Sequence, residues 1–138
     1  MAREHRLRIP AVIERVEEAC EFVSNVARLS GMTDEAVHRC YLAIEEICTN
    51  IIEHGYHFEG DQESIDVICE QHPNHLAITI VDDSSPFNPL AQPDPDPAAP
   101  LADRKHGGWG IYFVKKYMDN INYRYDRKRN RLTIEKQF

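Results

Sequence analysis

Between residues 83 and 107 the chain loses every hydrophobic period. Six of its eight prolines fall there (Pro86, Pro89, Pro93, Pro95, Pro97 and Pro100), and the stretch runs into Gly107-Gly108-Trp109-Gly110. Such a segment is uncommon inside a compact domain and marks either a lid over a site or an unfolded insert. The patterned segments on its two sides must share one core, because 138 residues with 42% hydrophobic content supply one core and one domain, residues 1–138.

The flanking segments are periodic. Arg6–Ile9 alternates as a short strand, and Pro10 suits the first turn of a helix. Val12, Val16, Ala19, Cys20, Val23, Val26 and Ala27 then recur at helical spacing until Gly31. A second helix is expected after Thr33, with Asp34 and Glu35 at its positive end and a stripe of Val37, Cys40, Tyr41, Ile44, Cys48 and Ile51 running to about Gly55. Strands are expected over Ser64–Glu70 and Leu76–Val81, around a Pro73-Asn74 turn. Beyond the glycines, Ile111, Val114 and Met118 mark a third helix. Two strands near 121–126 and 131–137 flank an Arg127–Asn130 turn. The order is β-α-α-β-β-lid-α-β-β, which predicts an α+β fold with helices on one face of a mainly antiparallel sheet.

Charge is unevenly placed. The net is −7, but residues 1–103 carry 6 Lys+Arg against 20 Asp+Glu, and residues 104–138 carry 10 against 3. The acidic total argues against a nucleic-acid coat, which needs a surplus of phosphate-neutralising cations. The basic C-terminal quarter suggests anion handling confined to one region. No apolar run reaches the roughly 18 residues of a membrane span, and MAREHRLRIP lacks the apolar core of a signal peptide. Cys20, Cys40 and Cys48 fall on apolar stripes and read as small buried hydrophobes; no Cys-x-x-Cys pair occurs. A cytoplasmic protein without disulfides is expected.

Three features carry chemistry. At about 100° per residue, Glu46 lies about 200° from Ile44, with Asn50 and His54 in line behind it. That line is either the solvated face of an amphipathic helix, or a base and an oxygen ligand for Mg²⁺. Asp82-Asp83 ends an apolar strand before Ser84-Ser85-Pro86. It is either a turn rich in Asx and Pro, or an acceptor for an exocyclic amine such as that of adenine. Gly107-Gly108-Trp109-Gly110 is either a hinge or a phosphate cradle at a helix start. It is not a dinucleotide fingerprint, and no Walker sequence is present.

In this order, residues 45–56 (EEICTNIIEHGY), 81–89 (VDDSSPFNP) and 107–119 (GGWGIYFVKKYMD) resemble the GHKL ATPase superfamily. Within it the chain is similar to bacterial anti-sigma-factor serine kinases, from its Arg-Leu-Arg-Ile-Pro start to its Asn-Arg-Leu-Thr-Ile end. The resemblance implies a Bergerat two-layer α/β sandwich. It assigns Glu46 as general base and Asn50 as Mg²⁺ ligand, with His54 and Gly55 near the nucleotide. Asp82 takes the adenine amine, with Ser84 beside it and Thr133 supporting the adenine end. Gly107, Gly108, Trp109, Gly110 and Ile111 cradle phosphates, beside a lid at about 88–107. It further implies ATP and Mg²⁺ as cofactors, transfer of the γ-phosphate to a serine of a STAS-domain antagonist, sequestration of a sigma factor, and a homodimer. Direct nucleic-acid and membrane contacts are not implied.

One departure stands out: the family usually carries glycine at the position of Ser84, where a side chain restricts the backbone geometry or close approach that glycine permits. Arg104, Lys105 and His106 either meet the γ-phosphate or form a solvated charge run. Arg127-Lys128-Arg129 and Arg131 read as decoration of an exposed hairpin, and Trp109 as packing or as a nucleotide cover. His54-x-x-His57 and His72-x-x-His75 lack a third ligand at matching spacing for zinc. The alternative to a kinase is a nucleotide-gated binding module with little or no transfer activity.

Overall fold

The computed structural model describes residues 2–91 and 109–138. Five strands form one sheet in the order β1-β2-β3-β5-β4, with every neighbouring pair antiparallel: β1 (Arg3–Pro10), β2 (Ser64–His72), β3 (His75–Asp82), β4 (Asn120–Asp126) and β5 (Arg129–Gln137). Helices α1 (Val16–Leu29), α2 (Asp34–Asn50) and α3 (Trp109–Tyr117) supply the second layer.

Strand alternation decides which residues meet the helices. Ile9 pairs with Ile65, Val67 with Ile80, Ile80 with Leu132 and Ile78 with Ile134, and all of these side chains are buried. Val23 of α1 and Ile44, Ile47 and Cys48 of α2 close the core from above. The opposite sheet face carries Arg8 against Asp66, Thr79 against Thr133 and Arg124 against Arg131.

Helix α2 forms as its sequence predicts. Thr33 caps it, its side chain accepting from the Ala36 amide at 3.2 Å, and Asp34 and Glu35 occupy the first turn. The helix then widens into a π turn over Ile51–Gly55, closed by the Tyr56 amide on the Ile51 carbonyl at 2.8 Å.

The N-terminal segment departs from expectation. Pro10 ends β1 opposite Ser64 and does not open a helix; α1 begins only at Val16, after a 3-10 turn over Ile13–Arg15. An edge strand has one side free of ladder bonds, so proline is tolerated there. The same edge position explains why β1 reaches back to Arg3 with little hydrophobic signal. At the other hairpin, Arg127 and Lys128 form a two-residue turn, both with positive φ (53° and 62°).

All four cysteines are buried free thiols, and burial pushes Cys20 and Cys69 up to about 12 and Cys40 to about 11. Alkylation by a thiolate-specific reagent at neutral pH is therefore expected only on unfolding. Labelling should track the denaturant transition when followed by mass. Fast labelling of the native chain would contradict the packing.

Candidate active site

Three structural elements converge at one end of the sheet: the C-terminal half of α2, the first turn of α3, and the loop leaving β3. Glu46 sits half-buried on α2. Asn50, one turn on, donates from Nδ2 to Glu46 Oε1 at 3.3 Å. Burial raises the Glu46 carboxyl above the ordinary glutamate value, opposed only in part by the Asn50 bond. The polar line on α2 is thus not a plain solvated face, because Gly110 of α3 packs directly on Glu46. A Cβ built on Gly110 would lie 2.0 Å from Glu46 Cδ. Gly110→Ala is expected to leave the helix intact, since alanine is the better helix former, while driving the flexible carboxylate from its place. Any activity that needs the Glu46 carboxylate in this place should fall by about 10-fold or more, a shift of about 1.4 kcal/mol, at unchanged or higher melting temperature. Full activity in that variant would mean that Glu46 works from another position.

A small cleft lies between α2 and the sheet. Ile47, Ile51, Ile80 and Leu132 form its apolar walls, and Asn50, Asp82 and Asn130 supply its polar groups. Asp82, at the end of β3, is only 3% exposed. Its Oδ1 accepts from the Ser84 amide at 2.9 Å, from the Ser84 hydroxyl, and from Asn130 Nδ2 at 3.0 Å. Asn130 is 4% exposed and also donates to the Ser84 and Ser85 carbonyls. Its Oδ1 accepts from the Phe87 amide at 3.1 Å and from the Tyr123 hydroxyl.

From the outer side, the Asp83 amide donates to the Tyr56 hydroxyl at 2.9 Å, and Arg129 binds the Asp83 carboxylate at 2.8 Å and Asp66 at 3.2 Å. Arg129 therefore braces the loop and is more than hairpin decoration. His54 lies at the cleft mouth, its ring 5.7 Å from that of Phe87.

Ser84 stands where the family usually carries glycine. Its backbone is not among the residues with positive φ, so backbone geometry does not demand glycine here. Its hydroxyl instead fills the space beside Gly55, where an added Cβ would stand 2.5 Å from Ser84 Oγ and 3.1 Å from Ser84 Cβ. Gly55→Ala is expected to destabilise the chain by about 1–3 kcal/mol through overpacking, and Ser84→Gly in the same chain to recover most of it. Denaturant melts of the two single variants and the double variant test that coupling; additive losses would contradict it.

Thr133 is not brought to this site. It lies on the opposite sheet face, its hydroxyl 3.0 Å from that of Thr79, because odd-numbered residues of β5 point away from the helices. The residue opposite Asp82 in the ladder is Asn130, which sequence analysis assigned to a turn. The available signal was the alternation itself: counting back from buried Ile134 and Leu132 lands on a polar residue facing inward. Ile111 packs its side chain in the core, so only its backbone amide can serve a ligand. Arg104, Lys105, His106, Gly107 and Gly108, with most of the expected lid, lie outside the described residues. Trp109 starts α3.

Among the described residues no group of three or more His, Cys, Asp or Glu is placed to hold a metal ion, and no helix is long and apolar enough to cross a membrane.

A half-buried carboxylate bonded to a carboxamide on α2 thus lies under the first turn of α3, and the same carboxamide shares a cleft with the buried strand-end Asp82. The chain belongs to the histidine kinase-like ATPase domain family, whose profile matches residues 9–136. Within that family it is RsbW-like. It is 30% identical over 124 residues to the serine-protein kinase RsbW of Bacillus anthracis, covering 87% of this chain and 76% of that protein. Its identity to the RsbW of Halalkalibacterium halodurans is 25% over 122 residues, covering 86% and 74%. The fold matches the crystal structure of the RsbU and RsbW domains of Rv1364c from Mycobacterium tuberculosis with a TM-score of 0.68 at 13% identity. That match covers 98% of this chain but only 32% of the larger one.

Proposed function

We propose that residues 1–138 form a single ATP-dependent serine kinase domain that acts on a STAS-domain antagonist and sequesters a sigma factor, in the manner of the anti-sigma serine kinases. The observation that carries this reading is the setting of Glu46: half-buried, raised in pKa by that burial, and paired with Asn50 beside the start of α3. A carboxylate with a raised pKa is a better proton acceptor for a hydroxyl than an exposed glutamate.

Each residue then has a task. Glu46 takes the proton of the acceptor serine as its oxygen bonds to the terminal phosphorus of ATP, while the bond from that phosphorus to the β-phosphate oxygen breaks and ADP leaves. Asp82 accepts the exocyclic amine of adenine at the far end of the cleft. Amides of the first turn of α3, which have no acceptor within the helix, donate to phosphate oxygens. The residues also fit a metal: with Nδ2 engaged by Glu46, Asn50 offers a neutral amide oxygen, a hard donor suited to Mg²⁺. Mg²⁺, when bound, neutralises triphosphate charge and orients the terminal phosphate. Arg104 and Lys105 are assigned to the same phosphate end. A homodimer and a cytoplasmic location complete the proposal.

Incubation with Mg-ATP and a STAS-domain partner tests it. Phosphate on a partner serine that disappears in Glu46→Ala supports the kinase. Tight nucleotide binding with no transfer to any partner supports the binding module instead.

A further inference from the structure

We propose that Asn130, assisted by Ser84, is a positioning residue that sets base selectivity by occupying one oxygen of Asp82 and reserving the other for the nucleobase. This rests on the reading of the cleft as a nucleotide site.

Hydrogen-bond capacity at Asp82 is limited. An aspartate carboxylate is acceptor-only and has two oxygens. In this structure three donors converge on Oδ1: the Ser84 amide, the Ser84 hydroxyl and Asn130 Nδ2. Saturation of Oδ1 fixes the carboxylate plane and leaves Oδ2 as the acceptor for a ligand in the cleft that Asp82 lines. Asn130 can do this because its own amide is fixed at its other end, where Oδ1 holds the Phe87 amide and the Tyr123 hydroxyl. A threonine or serine at position 130 would be too short to span both sides. An apolar residue would leave Asp82 held from the Ser84 side alone, and a carboxylate anchored on one side only discriminates less sharply between a base bearing an amine and one without it. Specificity of this kind comes from fixed buried polar groups, which are left unpaired by the wrong ligand.

The test is competitive titration with ATP and with purine riboside triphosphate, which differs from ATP only in lacking the 6-amine. The unmutated chain is expected to prefer ATP by about 10-fold to 100-fold. In Asn130→Ala the ATP affinity should fall toward that of the amine-free analogue, while the analogue itself binds as before, so the preference collapses. Ser84→Ala removes one donor and should reduce the preference by about 3-fold to 10-fold with the same pattern; it decides the question alone if Asn130→Ala does not fold. Equal losses for both nucleotides, or an unchanged preference, overturn the positioning role and leave the nucleotide reading standing. If the unmutated chain binds neither triphosphate, the nucleotide reading itself is wrong and the positioning role falls with it.

Discussion

Glu46→Gln is expected to lower phosphate transfer by about 10²–10⁴-fold while nucleotide binding persists, the usual loss when a positioned base is removed. The same substitution should leave the fold at least as stable at neutral pH. Burial raises the Glu46 pKa above its ordinary value, so the group contributes stability only below the ordinary glutamate pKa. That contribution is lost as pH rises through the raised value, because a half-buried ionised carboxylate is disfavoured. Glutamine keeps the shape without the charge. Transfer by the unmutated chain should therefore show an acid limb above the ordinary glutamate range, rising with pH as Glu46 deprotonates. The Glu46→Gln chain should lack that limb. Transfer assays across pH, paired with thermal melts, read both effects. A destabilised Gln variant with normal transfer would remove Glu46 from the mechanism.

Asp82→Ala should have the second large effect, on both binding and folding. The substitution strips a common acceptor from the Ser84 amide, the Ser84 hydroxyl and Asn130 Nδ2, all inside the fold. Each buried donor left unpaired costs about 1–3 kcal/mol, although Asn130 retains the Ser84 and Ser85 carbonyls. A loss of about 2–4 kcal/mol in denaturant unfolding is expected. ATP affinity should fall by about 100-fold or more through loss of the amine contact and slackening of the loop. Asp82→Asn separates the two effects: it preserves volume and one acceptor, so folding should suffer less. Its amide must still turn a donor toward either Asn130 or the base amine, so ATP binding should remain weak. Normal ATP affinity in both variants would place the base elsewhere.

Much of this site was legible in the sequence because its chemistry sits on strongly periodic elements. Helix α2 announces its phase through Val37, Cys40, Ile44 and Cys48, so the angular place of Glu46 and Asn50 follows from geometry. What periodicity could not supply was the covering helix: only the fold shows that Gly110 lies on Glu46 and turns an exposed-looking carboxylate into a half-buried one. Asp82 was legible as the last residue of an apolar strand. Its partner is not, because an expected Arg127–Asn130 turn leaves Asn130 outside β5 (Arg129–Gln137), and Thr133 enters only through the family resemblance. Alternation places Asn130, Leu132 and Ile134 on the helix-facing side and Thr133 on the other, whichever residue opens the strand. Edge strand β1 was read too short for a related reason. It pairs on one side only, and its polar N-terminal half is held by backbone bonds to β2 that leave no hydrophobic trace.

The uneven charge also acquires a physical setting. Part of the C-terminal excess, Arg129, is spent within the fold on Asp83 and Asp66, bracing the loop that carries Asp82 and Ser84. Burial alone would raise Asp66, yet the guanidiniums of Arg8 and Arg129 hold it below the usual aspartate value. Exposed pairs of this type add little stability each, so the cluster's role is to fix a loop.

The central claim is transfer of phosphate to a protein serine through Glu46. Its most direct measurement is mass spectrometry of a STAS-domain partner after incubation with the chain and Mg-ATP, run beside the Glu46→Gln chain. One added phosphate on a partner serine is expected with the unmutated chain and none with Glu46→Gln. A chain that binds both ATP and partner yet leaves the serine unmodified, or a Gln variant that phosphorylates it equally well, would contradict it.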